Sequence, residues 1–324
     1  MGKSIRISVP AHLHTGNMDL TGDLGRLYGT AGFTIQRPRT VVEASKAPKI
    51  TASGEDSASA KNFAQTFIRK YNISGGVKIN VKKTIPKHLG MGSQTALALA
   101  VGTAIAELYN KKVGLEEMAL ALGRSDIVAL GLNSFRSGGF LVDGGYIIKK
   151  KGRMVPPLIF RHPIPKDWLF VVCIPEKPIP AILAIKADED RILSELKRMP
   201  AQMSDRLSRL MLMQIMPAMA EGDIKAFGKS ITEFNGRLGG FWDDFQQGRT
   251  YCHPIVESGI RLMLANGAYG ACQTCWGPTF YGILDDPKKA EKLVHLLDAL
   301  LKKNGGGTVF VTKGDNRGAV KKRW

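Results

Sequence analysis

The chain is poor in cysteine, aromatic residues, acidic residues and long apolar runs. Four cysteines among 324 residues cannot build the disulfide framework that small secreted domains use in place of a large core. Cys272 and Cys275 form one Cys-x-x-Cys, while Cys173 and Cys252 stand too far from it in sequence to complete an obvious zinc site. The apolar run Ala96–Ala106 is too short to span a bilayer, which takes about 20 residues. Aromatic residues make up 7%. They are not interleaved with the basic runs Lys149-Lys150-Lys151 and Lys321-Lys322-Arg323. With no helix-turn-helix, zinc-finger or RNA-binding aromatic pattern, nucleic acid is not the expected main partner. The start, Met1-Gly2-Lys3-Ser4-Ile5-Arg6, turns polar at once, so no secretory leader is expected. Arg6 stands where a myristoylation signal needs Ser or Thr. The expectation is a cytoplasmic chain with no membrane attachment.

Hydrophobic residues reach 44%, enough for a large core in two domains or one large one. Lys and Arg number 46 against 28 Asp and Glu, a formal net charge of +18. Such a surplus suits anionic ligands, phosphorylated small molecules among them. Alternation predicts strands at Ile5–Val9, Thr40–Ala44 and Val77–Lys83, with a long polar, glycine-rich loop from Pro10 to Gly32. Gly138–Lys150 reads as a strand or hairpin broken at Asp143-Gly144-Gly145. Further strands are expected at Trp168–Ile174, Thr279–Leu284 and Thr308–Val311. Helical patterns cover Ser57–Tyr71, Thr95–Tyr109, Leu115–Leu122, Ala181–Lys197, Ser204–Glu221, Ile224–Leu238, Ile255–Asn266 and Lys288–Lys303. Prolines 156, 157, 163 and 165 mark a domain boundary. Helices and strands mix without regular βαβ alternation, so the class is α+β.

The most informative stretch is Pro86-Lys87-His88-Leu89-Gly90-Met91-Gly92-Ser93-Gln94-Thr95, which runs into the alanine-rich Ala96–Ala100. Glycines let backbone N–H groups approach an anion, and the free N–H groups of a helix start then hold it. This is the pattern of a phosphate cradle. His12 and His14 alternate at the end of a strand, and they fit either a surface pair or ligands of a metal lacking a third partner. Asp19 and Asp23 suit Mg²⁺, and equally suit turn capping. Arg26 suits an anion or a salt bridge to Asp23. Trp276 suits stacking on a ring or a place in the core.

Together these segments resemble the GHMP kinase superfamily. Pro86 to Gln94 resembles its second motif, Pro-x-x-x-Gly-Leu-Gly-Ser-Ser, and Gly267–Thr279 resembles its C-terminal glycine loop. Within the superfamily the chain is similar to the β-ribofuranosylaminobenzene 5′-phosphate synthases of archaeal methanopterin synthesis. That likeness is carried by Pro10–Leu20 with Gly25-Arg26, Pro86–Ala100, Gly138–Gly145, Phe227–Gly248, Gln273–Tyr281 and Asn316–Ala319. GHMP kinases carry a catalytic Asp seven positions before a Gly-Gly pair, and here that position is Gly131. Its absence favours the synthases over the alternative, an ATP-dependent small-molecule kinase using Asp19 or Asp126 as base. Two departures stand out. An Arg-Ser-Gly-Ile-Gly-like run is replaced by Ile127-Val128-Ala129-Leu130-Gly131, where a lost Arg would alter which acid binds. The expected Gln-Ser-Ser-Trp is Gln273-Thr274-Cys275-Trp276.

The resemblance implies a two-domain GHMP-kinase-like fold. Residues 1–162 form a ribosomal-S5-domain-2-like half and residues 163–324 a ferredoxin-like half. It implies transfer of the ribosyl group of phosphoribosyl diphosphate to 4-aminobenzoate or a related 4-substituted benzoate, with loss of CO₂ and diphosphate, and no need for ATP. On that reading Pro86, Gly90, Gly92, Ser93, Gln94 and Thr95 hold phosphate. Asp19, Arg26, His12 and His14 are the catalytic candidates, and Gly138, Gly139, Gln273 and Trp276 contact substrate. Mg²⁺ is implied, with Asp19 and Asp143 as its ligands, and a homodimer is implied as the assembly.

Overall fold

The computed structural model describes residues 4–148, 152–176 and 198–324. The helix expected over Ala181–Lys197 and the Lys149-Lys150-Lys151 run lie outside the described residues. Strand β1 (Ser4–Asp19) pairs antiparallel with β2 (Arg26–Ala47), the longest ladder of the molecule. The loop expected from Pro10 to Gly32 is therefore mostly strand, closed by a short turn at Leu20–Gly25. The glycines that suggested a loop serve close approach instead. A Cβ on Gly32 would lie 2.4 Å from the Leu13 carbonyl oxygen, and one on Gly16 would lie 2.6 Å from Leu238. Register shifts at Pro10/Ala11 and His14/Gly16 mask the alternation.

The chain continues through β3 (Thr51–Gly54), α1 (Ser57–Lys70), β4 (Gly76–Lys83), α2 (Ser93–Leu108), α3 (Leu115–Ala121) and α4 (Leu130–Arg136). Then come β5 (Phe140–Asp143), β6 (Tyr146–Ile147) and β7 (Leu158–His162). β5 and β6 both pair with β2 rather than with each other, so the described part of that stretch, residues 138–148, is a broken strand and no hairpin. Helix α2 is apolar around its whole circumference and almost wholly buried, as a central helix must be.

The second half holds β8 (Leu169–Pro175), α5 (Ala201–Leu210), a π-helical turn (Met211–Ile215), α6 (Met216–Glu221), α7 (Ile224–Phe241), α8 (Pro254–Ala265), β9 (Gly270–Gln273), β10 (Phe280–Leu284), α9 (Pro287–Lys303), β11 (Gly307–Lys313) and β12 (Val320–Arg323). Its sheet runs β11-β8-β10-β9, all antiparallel. Helices cross between its first and second and its third and fourth strands, the split βαβ arrangement of ferredoxin-like folds. The expected α+β class holds. The last strand, β12, returns to pair with β1 in the first sheet. The two halves also share one core: the Phe33 ring lies 5.3 Å from Phe170, 5.5 Å from Phe227 and 6.1 Å from Tyr281. Among the described residues no helix is long and apolar enough to cross a membrane.

Candidate active site

Where the halves meet, β1, the glycine loop, the α3–α4 turn, α7 and the β9–β10 loop enclose a cavity of about 580 Å³. His12, His14, Gly92, Thr95, Gln273 and Trp276 all line it, so six of the residues picked from sequence converge. The glycine loop bends back at Gly90 (φ 72°) and Gly92 (φ 76°), a backbone region glycine occupies without strain. Gly92 caps α2 with no side-chain hydrogen bond, so the first-turn N–H groups lack an intrahelical partner. His12 N–H donates to Met91 O at 3.4 Å, which docks the loop on β1. A Cβ on Gly92 would fall 2.0 Å from His12 Cε1, so the imidazole packs against bare backbone.

Both histidines are half-buried and line the cavity. Burial drives His12 down to about 3, helped by the nearby His14. Burial drives His14 down to about 4, against an opposing hydrogen bond with Asn17. Both are neutral at pH 7 and offer donor and acceptor nitrogens without charge.

The wall contributed by residues 235–276 is Asn235, Leu238, Gly239, Trp242, Gln246, Thr250, Tyr251, Gln273, Cys275 and Trp276, none of them charged. Trp242 and Trp276 meet edge to face at 4.5 Å. Gln273 braces this wall from behind. Its Nε2 donates to Gln246 Oε1 and Cys275 O, both at 3.1 Å, and its Oε1 accepts from Cys252 N–H at 2.8 Å. Asn235 clamps α7 to both neighbours, donating to Thr15 O at 2.8 Å and accepting from Gln273 N–H at 3.0 Å. The charged lining residues, Arg124, Asp126 and Arg153, all come from the other half. Sequence reading missed both arginines as site residues. One local signal was present: Arg124-Ser125-Asp126-Ile127 carries the Arg-Ser-x-Ile order three positions before the place where the family motif is expected.

Other expected site residues are placed elsewhere. Gly90 and Gln94 are held by protein: the Gly90 carbonyl accepts from Thr274 Oγ1 at 2.8 Å, and Gln94 Nε2 donates to Asp56 Oδ2 at 3.0 Å. Pro86 and Ser93 flank them without lining the cavity. Gly138 and Gly139 knit β5 to the Asp315 turn, with Gly139 N–H donating to Asp315 O at 2.7 Å. Arg26 donates to the Gly144 and Gly145 carbonyls at 3.2 and 2.9 Å. Asp19 Oδ1 accepts from Thr21 N–H at 2.6 Å and Thr21 Oγ1 at 2.8 Å, an Asx turn. Asp143 is buried, and its carboxylate accepts from the N–H groups of Thr30, Gly145 and Ala129. Burial pushes its pKa up against those three bonds. Mg²⁺ is held by a few carboxylates plus substrate phosphate. The Asp143 oxygens are already taken by backbone, Asp19 is committed to its turn, and neither lines the cavity. This pair does not fit that ion. Cys272 is buried and Cys275 exposed, and neither is in a disulfide.

Residues 58–135 match the GHMP kinases N terminal domain family and residues 215–303 match GHMP kinases C terminal. Over 97% of its length the chain is 31% identical to β-ribofuranosylphenol 5′-phosphate synthase from Methanothermobacter thermautotrophicus, of which it covers 97%. The chain belongs to the β-ribofuranosylphenol 5′-phosphate synthase family of the GHMP kinase superfamily. A second synthase of that name, from Methanocaldococcus jannaschii, is 28% identical over 96% of the chain and 98% of its own length. The fold is shared more widely. A homoserine kinase from Cytophaga hutchinsonii superposes with a TM-score of 0.71 at 17% identity, covering 98% of this chain and 97% of the kinase. Against that kinase scaffold, Gly131 is the informative position of the synthase family member. It lines the cavity, and a Cβ there would meet Thr95 Cγ2 at 2.9 Å and His12 Cε1 at 3.3 Å.

Proposed function

We propose that this chain is a decarboxylating pentosyltransferase. It joins phosphoribosyl diphosphate to a 4-substituted benzoate and gives a β-ribofuranosyl arene 5′-phosphate, CO₂ and diphosphate. The bond from C1 of the ribose to the diphosphate oxygen breaks, and its electron pair leaves with diphosphate. The ring carbon bearing the carboxylate attacks the cation-like C1. The bond to the carboxylate then breaks, its pair restores the aromatic ring, and CO₂ departs. Charge balances without a proton, so the chemistry calls for no nucleophile and no strong base.

The observation that carries the reading is Gly131. Glycine stands where the family resemblance expects a kinase's Asp, a Cβ there would crowd Thr95 and His12, and relatives bearing the synthase name share nearly the chain's whole span. In this reading the backbone at Gly92 and Thr95, at the start of α2, stabilises the leaving diphosphate. The Trp242–Trp276 wall seats the aromatic ring, and neutral His12 and His14 contact ribose or ring. The relatives' name points to a phenol product and hence to 4-hydroxybenzoate. The sequence expectation was 4-aminobenzoate, and these two acids are the ones to try first. ATP has no part in this scheme. A cytoplasmic, homodimeric enzyme acting on small molecules completes the reading.

Incubation with phosphoribosyl diphosphate and each carboxyl-labelled acid is the test. Labelled CO₂ and diphosphate should appear in equal amounts. ATP consumption with an alcohol acceptor, without CO₂ release, would overturn the proposal.

A further inference from the structure

The turn between α3 and α4 holds a side chain that the fold does not explain. Ser125 has φ 64°, a left-handed conformation that an L side chain rarely adopts. Its Oγ is buried and has no hydrogen-bond partner. A hydroxyl brings one donor and two acceptor sites, and buried polar atoms are nearly always paired. Ser125 nevertheless lines the cavity. A strained residue with an orphaned hydroxyl at a cavity wall is a cost that folding alone would remove, and such costs concentrate where a ligand is held.

Its neighbours say what kind of ligand. Gly123 is also left-handed, at φ 71°, and closes α3: its N–H and that of Arg124 donate to the Leu120 and Ala119 carbonyls at 3.0 and 2.8 Å, so the side chains that follow are what this turn presents. Arg124 and Arg153 line the same stretch of the cavity. Arg124 Nε donates to Thr95 Oγ1 at 3.3 Å, tying this turn to the first turn of α2. The one carboxylate here, Asp126, is occupied: its Oδ2 accepts from Arg153 at 2.6 Å. The pair holds the Arg153 guanidinium at the wall and offsets the repulsion Asp126 would exert on an anion.

We propose that Gly123–Asp126, with the side chains of Arg124, Ser125 and Arg153, is a second phosphate site that holds a sugar phosphomonoester. The inference rests on the synthase reading, whose substrate is anionic at both ends. The backbone at Gly92 and Thr95 takes the diphosphate on C1, and the Ser125 turn takes the 5-phosphate. Two anchors fix C1 between them, where one would leave the ribose free to swing. After the C1–oxygen bond breaks, the 5-phosphate anchor alone keeps the cation-like ribose facing the aromatic ring.

Calorimetric titration with two separate probes, ribose 5-phosphate and inorganic diphosphate, tests this. The first variant is Ser125→Gly, which relaxes the backbone and removes a hydroxyl that makes no hydrogen bond to protein. Its Tm should equal or exceed that of the parent chain, while ribose 5-phosphate affinity falls about tenfold and diphosphate affinity stays within about twofold. Arg124→Gln should show the same selectivity. Loss of diphosphate binding equal to or greater than the loss of ribose 5-phosphate binding would overturn the assignment. Unchanged binding of both probes, or no binding of ribose 5-phosphate by the parent chain, would overturn it too. Selective loss of ribose 5-phosphate in a chain that releases no CO₂ would fault the synthase reading and leave the phosphomonoester site standing.

Discussion

Thr274 and Gly90 bolt the two walls of the cavity together. The Thr274 hydroxyl donates to Gly90 O and accepts from His14 N–H, both at 2.8 Å. A Cβ on Gly90 would lie 2.5 Å from the Thr274 carbonyl oxygen. One buried hydroxyl thus sets the spacing between the glycine loop, β1 and the β9–β10 loop. Thr274→Val keeps the shape and leaves two polar groups unpaired, at a cost of about 1–3 kcal/mol. Thermal denaturation should show that loss together with a raised KM for phosphoribosyl diphosphate, whereas Thr274→Ser should keep both near the parent values.

Gly131→Asp tests whether a kinase lies one mutation away. The new side chain overlaps Thr95 and His12, so the variant should lose CO₂ release and gain no ATP turnover. Gly131→Ala should lower kcat/KM by at least about tenfold through displacement of His12. Adding Thr95→Ser removes the Cγ2 methyl that lies nearest, keeps the hydroxyl that Arg124 uses, and should recover part of the activity.

The uncharged wall around Trp242 and Trp276 makes a statement about the acid's carboxylate. If the acid lies along that wall, which carries no cation among the described residues, its carboxylate meets no ion pair there and is free to leave. Competition assays should find 4-hydroxybenzamide binding within about tenfold of 4-hydroxybenzoate, since a charge-assisted bond would give a larger gap. An amide weaker by two orders of magnitude would place a cation at the carboxylate.

Acid should destabilise the fold through the two histidines. Both have folded pKa values, about 3 and about 4, below the unfolded value near 6.5. The unfolded chain therefore binds more protons between those limits. Their contribution is complete above about pH 6.5 and is lost as pH falls toward 3. The expected loss at about pH 5.5 is on the order of 1 kcal/mol per histidine. Denaturant midpoints across pH 5–7 should show the slope, and His12→Gln with His14→Gln should flatten it.

Asp143→Asn separates a structural carboxylate from a metal ligand. The native group serves three backbone N–H donors from two oxygens. An amide has one acceptor oxygen and turns its NH₂ toward a donor that has lost its partner. Stability should fall by about 1–3 kcal/mol with or without added Mg²⁺. A variant of parental Tm that responds differently to Mg²⁺ would return Asp143 to metal binding.

Much of the site was legible because glycine and charge leave local marks. Gly90, Gly92 and the alanine run announce a turn into a buried helix, and His12 and His14 stand out by alternation. Asp19, Arg26 and Asp143 carry the same kinds of mark, yet their polar groups are committed to neighbouring backbone. Residue type shows what a side chain is able to bind, and only its neighbours show whether that capacity is already used. Arg153 and Trp242 gave no local signal, since nothing in their flanking residues tells which way they face.

The sequence by itself determined the α+β class, most of the helices and the turn of the glycine loop into a buried helix, because these follow from periodicity and backbone freedom over a few residues. The tertiary structure alone decided that Pro10–Gly32 is mostly strand, that β12 closes the first sheet, and that charge sits on one wall and tryptophan on the other. Those features come from contacts between residues up to some 300 positions apart, such as Ile5 with Arg323. Their free energy appears only once the chain has closed the loops between them, and no local pattern encodes it.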